Sequence, residues 1–427
     1  MTAPASTEQD LLAAAYLSRV AEPACLPLWV YVNQLGYREA AAAIRSGDAP
    51  EAVRHVTEGR RTSCDPQADL DAAERNGIRL VTPSCPDWPH YGLLSLQLAA
   101  GRRVASWRLG DQVRGTARDR GEPLPPLALW VRGSGDLSRA GVRSVAIVGG
   151  RAASNYGQHA ASELGFGAAQ HGIDVVSGGA YGIDAAAHRG ALAAGGNTVL
   201  ISAGGLDRPY PSGNKVIYDR AAESGLLISE RPPGSAPHRQ RFLSRNRLIA
   251  ALGSATVVVE AARRSGALNT AGYARDLGRP VLAVPGPITS AMSVGCHALI
   301  QRDEQPARLI TGVADMLPYC DLTIDDTTEP SLSAGVDDAR GGMSSALAIG
   351  AATGTPRSRG ADYDALDPVA KSVLDGFPSR RTVTEAELSE LSGQPIQRVL
   401  ASLPTLRAAG LITATSEGFR LSGRVAS

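Results

Sequence analysis

Four short apolar runs dominate the middle of the chain, and each is followed by a glycine-containing turn and a helix-like pattern; they span residues 144–148, 173–176, 198–201 and 255–259. Continuous apolar runs that alternate with helical patterns are typical of parallel strands covered by helices on both faces. Ligands of such sheets bind beyond the carboxyl ends of the strands, where these turns fall. Because glycine amides and helix N-termini favour anions, the pattern predicts a site for a phosphate-bearing ligand.

The same pattern divides the rest of the chain into further segments. We predict an α/β protein whose parallel-sheet domain spans residues 66–320 and follows a helical N-terminal domain at 1–65. The segment 321–362 is acidic and then rich in Ser, Gly and Ala, which predicts a flexible linker. Residues 363–427 hold three helical patterns and a hairpin pattern, which together predict a winged helix-turn-helix domain.

Composition indicates a globular protein, since 43% of the residues are hydrophobic and 20% are charged. The length of 427 residues suits two to four domains. The formal net charge is only +1, so any surface that binds nucleic acid must be a local basic patch. No apolar run approaches the ~18 residues of a membrane span, and the acidic N-terminus does not resemble a signal peptide. We therefore expect a cytoplasmic protein.

Several classes of site are disfavoured by the sequence. The five cysteines are far apart and lack a C-x-x-C spacing, which argues against a disulfide framework and a zinc site. Only Lys215 and Lys371 among the 43 basic residues are lysines, and the absence of a Gly-Lys pair excludes a Walker A loop. No G-x-G-x-x-G follows the first predicted strand, so hydride chemistry is not predicted. We expect no metal and no cofactor.

The glycine turns carry the first candidate DNA-binding residues. Gly150 and Arg151 follow the first strand, where a guanidinium is suited to clamp a phosphate; a salt bridge across the top of the sheet is the alternative. Ser154 is a candidate contact as well as the N-cap of the next helix. The later turns supply the other candidates, namely Ser177, Gly178, Gly179, Asn214 and Lys215.

Asp184 and His188 lie one helical turn apart after the second glycine turn. At this i, i+4 spacing they match a catalytic acid–base pair. A structural interpretation is preferred, in which Asp184 complements the helix dipole and His188 takes part in a hydrogen bond inside the packed helix.

The richest basic segment is 238–247, which contains four arginines and one aromatic residue. Because basic groups beside an aromatic ring suit a phosphate backbone and a stacked base, we assign DNA binding to Phe242, Arg245, Asn246 and Arg247. A solvated helix face is the alternative. The apolar run that follows at once anchors this helix in the core and favours the functional interpretation.

Glu260 ends the fourth apolar run and is followed by Ser265, Gly266 and Thr270. A carboxylate beside so many arginines is predicted to orient them, and a nucleophile or general-base role is the alternative. We assign these four residues, together with Asp184, to organising the site. No catalytic residue is predicted.

The C-terminal segment 363–427 carries seven basic and seven acidic residues. A net charge of zero is poor for sequence-specific DNA binding. A role in docking to another protein is therefore at least as well supported for this segment as sequence-specific DNA binding.

The ordered motifs of the chain resemble those of the DNA-processing protein A family, also called DprA or Smf. The resemblance covers roughly residues 66–318 and rests on segments 149–157, 177–184, 207–211, 245–247, 259–261, 265–266 and 284–286. It implies a non-enzymatic homodimer with a Rossmann-like fold. It also implies binding of single-stranded DNA, protection of incoming strands in natural transformation, and loading of the RecA recombinase.

By position, the resemblance implies that Arg151, Lys215 and residues 245–247 contact DNA phosphates, with residues 177–179 lining the same pocket. The chain departs from the family pattern where Gly150 replaces Thr or Ser, and where Gly179 and Tyr181 replace Leu and Arg. The loss of that arginine lowers the positive charge of the predicted pocket.

Two other functions fit parts of the same pattern. A nucleoside-monophosphate phosphoribohydrolase of the lysine-decarboxylase-like group shares the glycine turns and a carboxylate near a strand end. That enzyme needs a Pro-Gly-Gly-x-Gly-Thr turn, which Glu260 lacks. A small-nucleotide sensor, whose winged helix responds to ligand, is the third possibility.

Overall fold

The computed structural model describes residues 7–108, 121–321, 366–375, 377, 382–392, 396–415 and 418–422. The chain divides into two compact units, of which the first comprises Met1–Ala43 and Cys64–Ile349 and the second Ile44–Ser63 and Gly350–Ser427. Residues 322–362 of the predicted linker lie outside the described residues. The domain boundaries drawn from the sequence stay predictions.

The first unit is built on one large sheet. Its strands, within the described residues, are β1 (Arg79–Val81), β2 (Leu129–Arg132), β3 (Ser144–Val148), β4 (Asp174–Ser177), β5 (Thr198–Ile201), β6 (Leu226–Ser229), β7 (Ala255–Val258), β8 (Val281–Ala283) and β9 (Arg308–Leu309). They lie in the order β1-β2-β6-β5-β4-β3-β7-β8-β9. The pairs from β6 to β9 are parallel, whereas β1–β2 and β2–β6 are antiparallel. The predicted α/β class with a largely parallel sheet is thus confirmed.

The four apolar runs of the sequence form β3, β4, β5 and β7, which are buried on both faces. Alternate side chains explain why these runs are continuous. Val145 and Ile147 of β3 belong to one hydrophobic cluster, and Ala146 and Val148 belong to the cluster on the opposite face. Because helices cover both faces, no position in the strand favours a polar residue.

Helices precede the strands in the chain and alternate with them, and residues 51–57, which form the fourth helix, belong to the second unit. In chain order they are α1 (Glu8–Val20), α2 (Leu26–Leu35), α3 (Tyr37–Ser46), α4 (Glu51–Thr57), α5 (Pro66–Arg75), α6 (His90–Arg108), α7 (Asn155–Gln170), α8 (Ile183–Ala193), α9 (Lys215–Ser224), α10 (Arg239–Leu252), α11 (Gly266–Asp276), α12 (Val294–Ile300) and α13 (Val313–Met316). Residues of α7 and α8 fill one cluster against the sheet, and residues of α6, α10 and α11 fill the other.

Helix α1 is joined to the α/β core by two buried arginines. The Arg231 guanidinium donates from Nη1 to the carbonyl oxygens of Ser18 and Ala21, at 2.6 Å each. These are carbonyls that a helix C-terminus leaves without a helical partner. Arg241 on α10 forms a bidentate pair with Glu22, with both N–O distances 2.8 Å. The end of α1 is therefore fixed to the loop after β6 and to α10.

The C-terminal part of the second unit consists of three helices and a hairpin. The helices are α14 (Pro368–Asp375), α15 (Glu385–Ser392) and α16 (Ile396–Ala408), and the hairpin strands are β10 (Ile412–Thr415) and β11 (Gly418–Leu421). In the hairpin Ile412 pairs with Leu421, and Val383 bridges to Phe419. The winged helix-turn-helix assignment stays a prediction. Among the helices of the described segments, none has both the length and the apolar character needed to cross a bilayer.

Candidate functional site

The strand order places a switch point between β3 and β7. From β3 the chain continues to β4 on one side, whereas from β7 it continues to β8 on the other. Loops that leave neighbouring strands in opposite directions open a crevice at the carboxyl edge of a parallel sheet, and ligands bind there. Gly150 and Arg151 follow β3 at this crevice, and Glu260 follows β7.

Glu260 holds the turn after β3 in place. Its carboxylate accepts hydrogen bonds from the Ser154 hydroxyl at 2.6 Å and the Ser154 amide at 2.9 Å, and its carbonyl accepts from the Gly150 amide at 2.7 Å. Ser154 in turn caps α7 by accepting from the Gly157 amide at 3.0 Å. With the side chain 2% exposed and both of its oxygens bonded, Glu260 shapes the crevice.

Two buried side chains, Ser177 and Asp184, hold the turn after β4 in place. Ser177 is buried and donates its hydroxyl proton to the carbonyl of Ile147 at 2.6 Å, which ties β4 to β3. The carboxylate of Asp184, in the first turn of α8, accepts from the Gly178 amide at 3.2 Å. The Gly150 and Gly178 amides are thus both bonded within the protein, whereas the sequence suggested them as phosphate donors. Gly179 has a left-handed φ of 68°, which favours glycine.

Arg245 connects three elements at the carboxyl edge. Its Nη1 donates to the carbonyl of Gly178 at 2.8 Å and to the carbonyl of Ile201 at the end of β5. Burial lowers the pKa of Arg245, and the Asp184 carboxylate acts to raise it. Burial likewise raises the pKa of Asp184, with Arg245 opposing that change. These two opposite charges stabilise each other beneath the glycine turn.

The neighbouring residues of α10 have different surroundings. Asn246 donates from Nδ2 to Asn269 Oδ1 at 3.0 Å, which links α10 to α11. Arg247 is 0% exposed and forms a bidentate ion pair with Glu230 at 2.5 and 2.6 Å. Its Nε also donates to the Leu124 carbonyl at 2.7 Å. The structure therefore places Arg247 in the interior, away from the crevice.

The α11 residues predicted to organise the site lie beside Asn246. Ser265 caps α11 and accepts from the Ala267 amide at 3.3 Å. The carbonyl of Gly266 accepts from Asn246 Nδ2 at 3.5 Å, and Thr270 is buried in the next turn. These residues position α10 against α11.

Asn214 and Lys215 occupy the loop after β5 and the start of α9. Asn214 is 5% exposed and donates from Nδ2 to the carbonyl of Gly179 at 2.9 Å. It therefore supports the glycine turn from the side. Lys215 is exposed and forms an i, i+4 ion pair with Asp219.

An aromatic and cationic cluster lies at the entrance of the crevice. The Arg151 guanidinium carbon is 4.8 Å from the centre of the Phe242 ring, and that of Arg245 is 5.7 Å from it. Both distances are within the range of cation–π attraction. The Tyr210 ring lies 5.7 Å from Phe242. Arg151 is exposed and forms no ion pair within the part of the chain that the structure describes.

Other exposed residues of this edge were missed by the sequence analysis. Arg263 and Arg264 follow β7 as Arg151 follows β3, and both are exposed. The Tyr181 and Tyr210 side chains are 50% and 45% exposed. The signal that identified Arg151, a basic residue just after a buried strand, also identifies the two arginines.

His188 is part of the core of the first unit. Thr198 donates its only hydroxyl proton to the carbonyl of Val175 at 2.9 Å, so it accepts from His188 Nδ1 at 2.6 Å. Burial and the nearby charge of Arg245 lower the pKa of His188 to about 3. The partner of His188 is thus Thr198 and not Asp184. No group of side chains suited to a metal ion occurs among the described residues.

Comparison with known proteins gives consistent matches. The family model for DNA recombination-mediator protein A matches residues 118–321. A protein of Mycobacterium tuberculosis that bears the name DNA processing protein DprA is 40% identical over 397 residues, which span 93% of this chain and 90% of that protein. DNA processing protein DprA of Streptococcus pneumoniae is 41% identical over 192 residues, or 45% of this chain and 66% of the relative. An X-ray structure of the Streptococcus pneumoniae protein has a TM-score of 0.56 at 27% identity and covers 74% of this chain and 99% of its own.

Proposed function

The chain belongs to the DNA recombination-mediator protein A family, and we propose that it binds single-stranded DNA along the carboxyl edge of its sheet as a recombination mediator. The observation that carries the proposal is the exposed Arg151 guanidinium, which lies over the Phe242 ring at the switch point. A cation beside an aromatic face suits the two repeating parts of a nucleic-acid strand, the phosphate and the base.

The charges of this edge support the proposal. Exposed cations occur on the loops after β3 and β7 and at the starts of α9 and α10, namely Arg151, Arg263, Arg264, Lys215 and Arg239. The whole chain has a formal net charge of only +1, so these five cations are a local excess of positive charge at the carboxyl edge of the sheet. Neutralising phosphates with such side chains releases counterions and drives binding.

The aromatic residues favour an unpaired strand. Tyr181 and Tyr210 are about half exposed and follow β4 and β5, next to the turns that carry the cations. Bases of a single strand can stack on such rings, and each stacked base contributes about 1–3 kcal/mol. In a duplex the base faces are already stacked on one another.

The proposal gives two roles to the basic residues. Arg151 and Lys215 contact phosphates, as the resemblance implies. Arg245 and Arg247 are positioning residues, since both are buried and bonded to protein acceptors. Arg245 acts through Gly178 and Phe242, which it contacts.

The test is a salt titration of oligo-dT binding by fluorescence anisotropy, with duplex DNA as comparison. For each phosphate contact that is lost, the slope of log K against log salt should flatten by about 0.7. Arg151→Ala with Lys215→Ala should therefore bind more weakly and flatten the slope by about 1.4. Arg189→Ala with Arg220→Ala removes two exposed arginines on α8 and α9 and should bind as the wild type does. Equal binding by the first variant and the wild type at every salt concentration would overturn the site assignment.

The resemblance also supports proposals about assembly. We propose that the protein forms a homodimer, protects incoming strands during natural transformation and loads RecA onto them. Light scattering should give twice the mass of one chain. RecA should form filaments faster on DNA that this protein already covers. We further propose that residues 363–427 form a winged helix-turn-helix that docks a protein.

We propose no catalytic role for Glu260, since both of its oxygens accept hydrogen bonds from Ser154. A phosphoribohydrolase would need this carboxylate free for its substrate. Incubation with AMP should release no adenine. Calorimetry with mononucleotides against oligonucleotides should show the tighter binding for the oligonucleotides, which separates the proposal from a small-nucleotide sensor.

A further inference from the structure

A cavity of about 340 Å³ opens at the amino edge of the sheet, opposite the crevice at the switch point. It lies where β8 begins at Val281 and β9 begins at Arg308. Its wall carries three arginines, Arg275, Arg279 and Arg308.

Arg279 is the most informative side chain of this cavity. It is 9% exposed, and its Nη2 donates to the Ala251 carbonyl at 3.2 Å. Its Nε has no hydrogen-bond acceptor among the described residues. Burial lowers the pKa of Arg279, and no carboxylate in the described part of the chain offsets that effect. A buried cation without a counter-ion is costly, because desolvation is not repaid by an opposite charge.

The rim of the cavity adds further positive charge. Arg308 is exposed and forms no ion pair within the described ranges. Arg275 donates from Nε to the carbonyl of Gln305 at 3.1 Å. Gln305 has a left-handed φ of 50°, which is uncommon outside glycine and tends to persist where a site requires it. Like charges around one cavity repel each other unless an anion lies between them.

We propose that this cavity binds the phosphate group of a phosphorylated ligand, held between Arg279 and Arg308. Guanidinium groups bind phosphate oxygens through short, charge-assisted hydrogen bonds. Tyr319 and Pro306 also line the cavity and supply an apolar wall for the rest of the ligand. The site is independent of the carboxyl edge, because it lies at the other end of the strands.

Isothermal titration calorimetry with pyrophosphate tests this proposal on the full chain. The parent for the titration is Arg151→Ala with Lys215→Ala, so that the carboxyl edge contributes little. We expect one saturable site, and we expect Arg308→Gln and Arg279→Gln each to weaken it about tenfold or more, as for loss of a charged hydrogen bond. Arg302→Gln changes an exposed arginine outside the cavity wall and should bind as the parent does. Because Arg308 is exposed, its variant decides the outcome if Arg279→Gln fails to fold.

The absence of saturable binding would overturn the proposal, and so would Arg308→Gln binding with unchanged affinity. Repeating the titration with oligo-dT present identifies the source of the phosphate. If oligo-dT displaces pyrophosphate, the ligand is the DNA backbone; if it does not, the ligand is a free phosphorylated molecule. Either outcome of the oligo-dT competition supports an anion site in this cavity. If the carboxyl edge failed to bind DNA, the pyrophosphate titration would still test the cavity.

Discussion

The guanidinium of Arg245 lies directly against the backbone of Gly178. A Cβ built on that glycine would stand 2.3 Å from Arg245 Nη2 and 2.5 Å from its Cζ. Glycine at this position is therefore required for the close approach of a buried side chain. The glycine turn after β4 therefore positions the Arg245 side chain, and Arg245 also contacts the Phe242 ring.

Gly178→Ala should displace Arg245 and weaken both folding and DNA binding. Overpacking of this kind costs about 1–3 kcal/mol, so the midpoint of thermal unfolding should fall by several degrees. Gly266→Ala is the matched control, since a Cβ there meets nothing within 4 Å. Differential scanning calorimetry of both variants gives the comparison. Equal stability of the two would mean that Arg245 does not occupy this position.

Arg247→Ala should unfold the protein far more readily than Arg151→Ala. The first change leaves Glu230 as a buried carboxylate without its cation, which typically costs 3–5 kcal/mol. The second removes an exposed side chain and should change the free energy of unfolding by less than about 0.5 kcal/mol. Urea unfolding measures both values. A small effect of Arg247→Ala would contradict the buried ion pair.

Glu260→Gln should destabilise the turn after β3. A carboxylate accepts from both the amide and the hydroxyl of Ser154, whereas a carboxamide has a single acceptor oxygen. The donor that remains unsatisfied costs about 1–3 kcal/mol. A double-mutant cycle with Ser154→Ala isolates this interaction, and its coupling energy should be clearly above zero. Additive effects of the two changes would show that the residues do not interact.

His188 should make the stability depend on pH in mildly acidic solution. Burial, with the charge of Arg245, lowers its pKa from 6.5 to about 3 in the folded protein. Below pH 6.5 the unfolded chain therefore binds a proton that the folded protein does not. The contribution of neutral His188 to the free energy of unfolding is therefore complete above pH 6.5. It is lost as the pH falls toward 3, and the free energy of unfolding decreases by up to about 1.4 kcal/mol per pH unit.

Urea unfolding between pH 7 and pH 4 checks this dependence. His188→Gln should be less stable than the wild type at pH 7, yet its stability should fall less steeply with acid. His171→Gln removes an exposed histidine and should keep the slope of the wild type. An unchanged slope in His188→Gln would show that another group titrates in this range.

The sequence predicted the central strands because both of their faces are buried. The runs that form β3, β4, β5 and β7 are therefore mostly apolar, and each leads through a turn into a helical pattern. The strands β6 (Leu226–Ser229) and β8 (Val281–Ala283) were not predicted. Prolines follow both of them, at 232–233 and at 285 and 287, and separate them from the next helical pattern.

The sequence predicted which residues follow the strands, but it did not predict what their side chains contact. Arg151 is exposed at the crevice, as the turn after the first strand suggested. By contrast, Arg245 and Arg247 look alike in the sequence but meet different acceptors, Gly178 on one side of α10 and Glu230 on another. Those acceptors belong to remote loops, so only the tertiary fold shows that both arginines are bonded inside the protein while Arg151 is exposed.

Arg241 and Phe242 are consecutive on α10, and they face different parts of the molecule. Arg241 is 1% exposed and forms a bidentate ion pair with Glu22 at the end of α1, whereas Phe242 borders the crevice. Removal of residues 1–42 would take away Glu22 and the carbonyls at the end of α1 that Arg231 binds. Arg231 and Arg241 would then lose the hydrogen bonds that join them to α1. Helix α1 therefore supports the loop after β6 and helix α10, and its removal is expected to destabilise the carboxyl edge of the sheet.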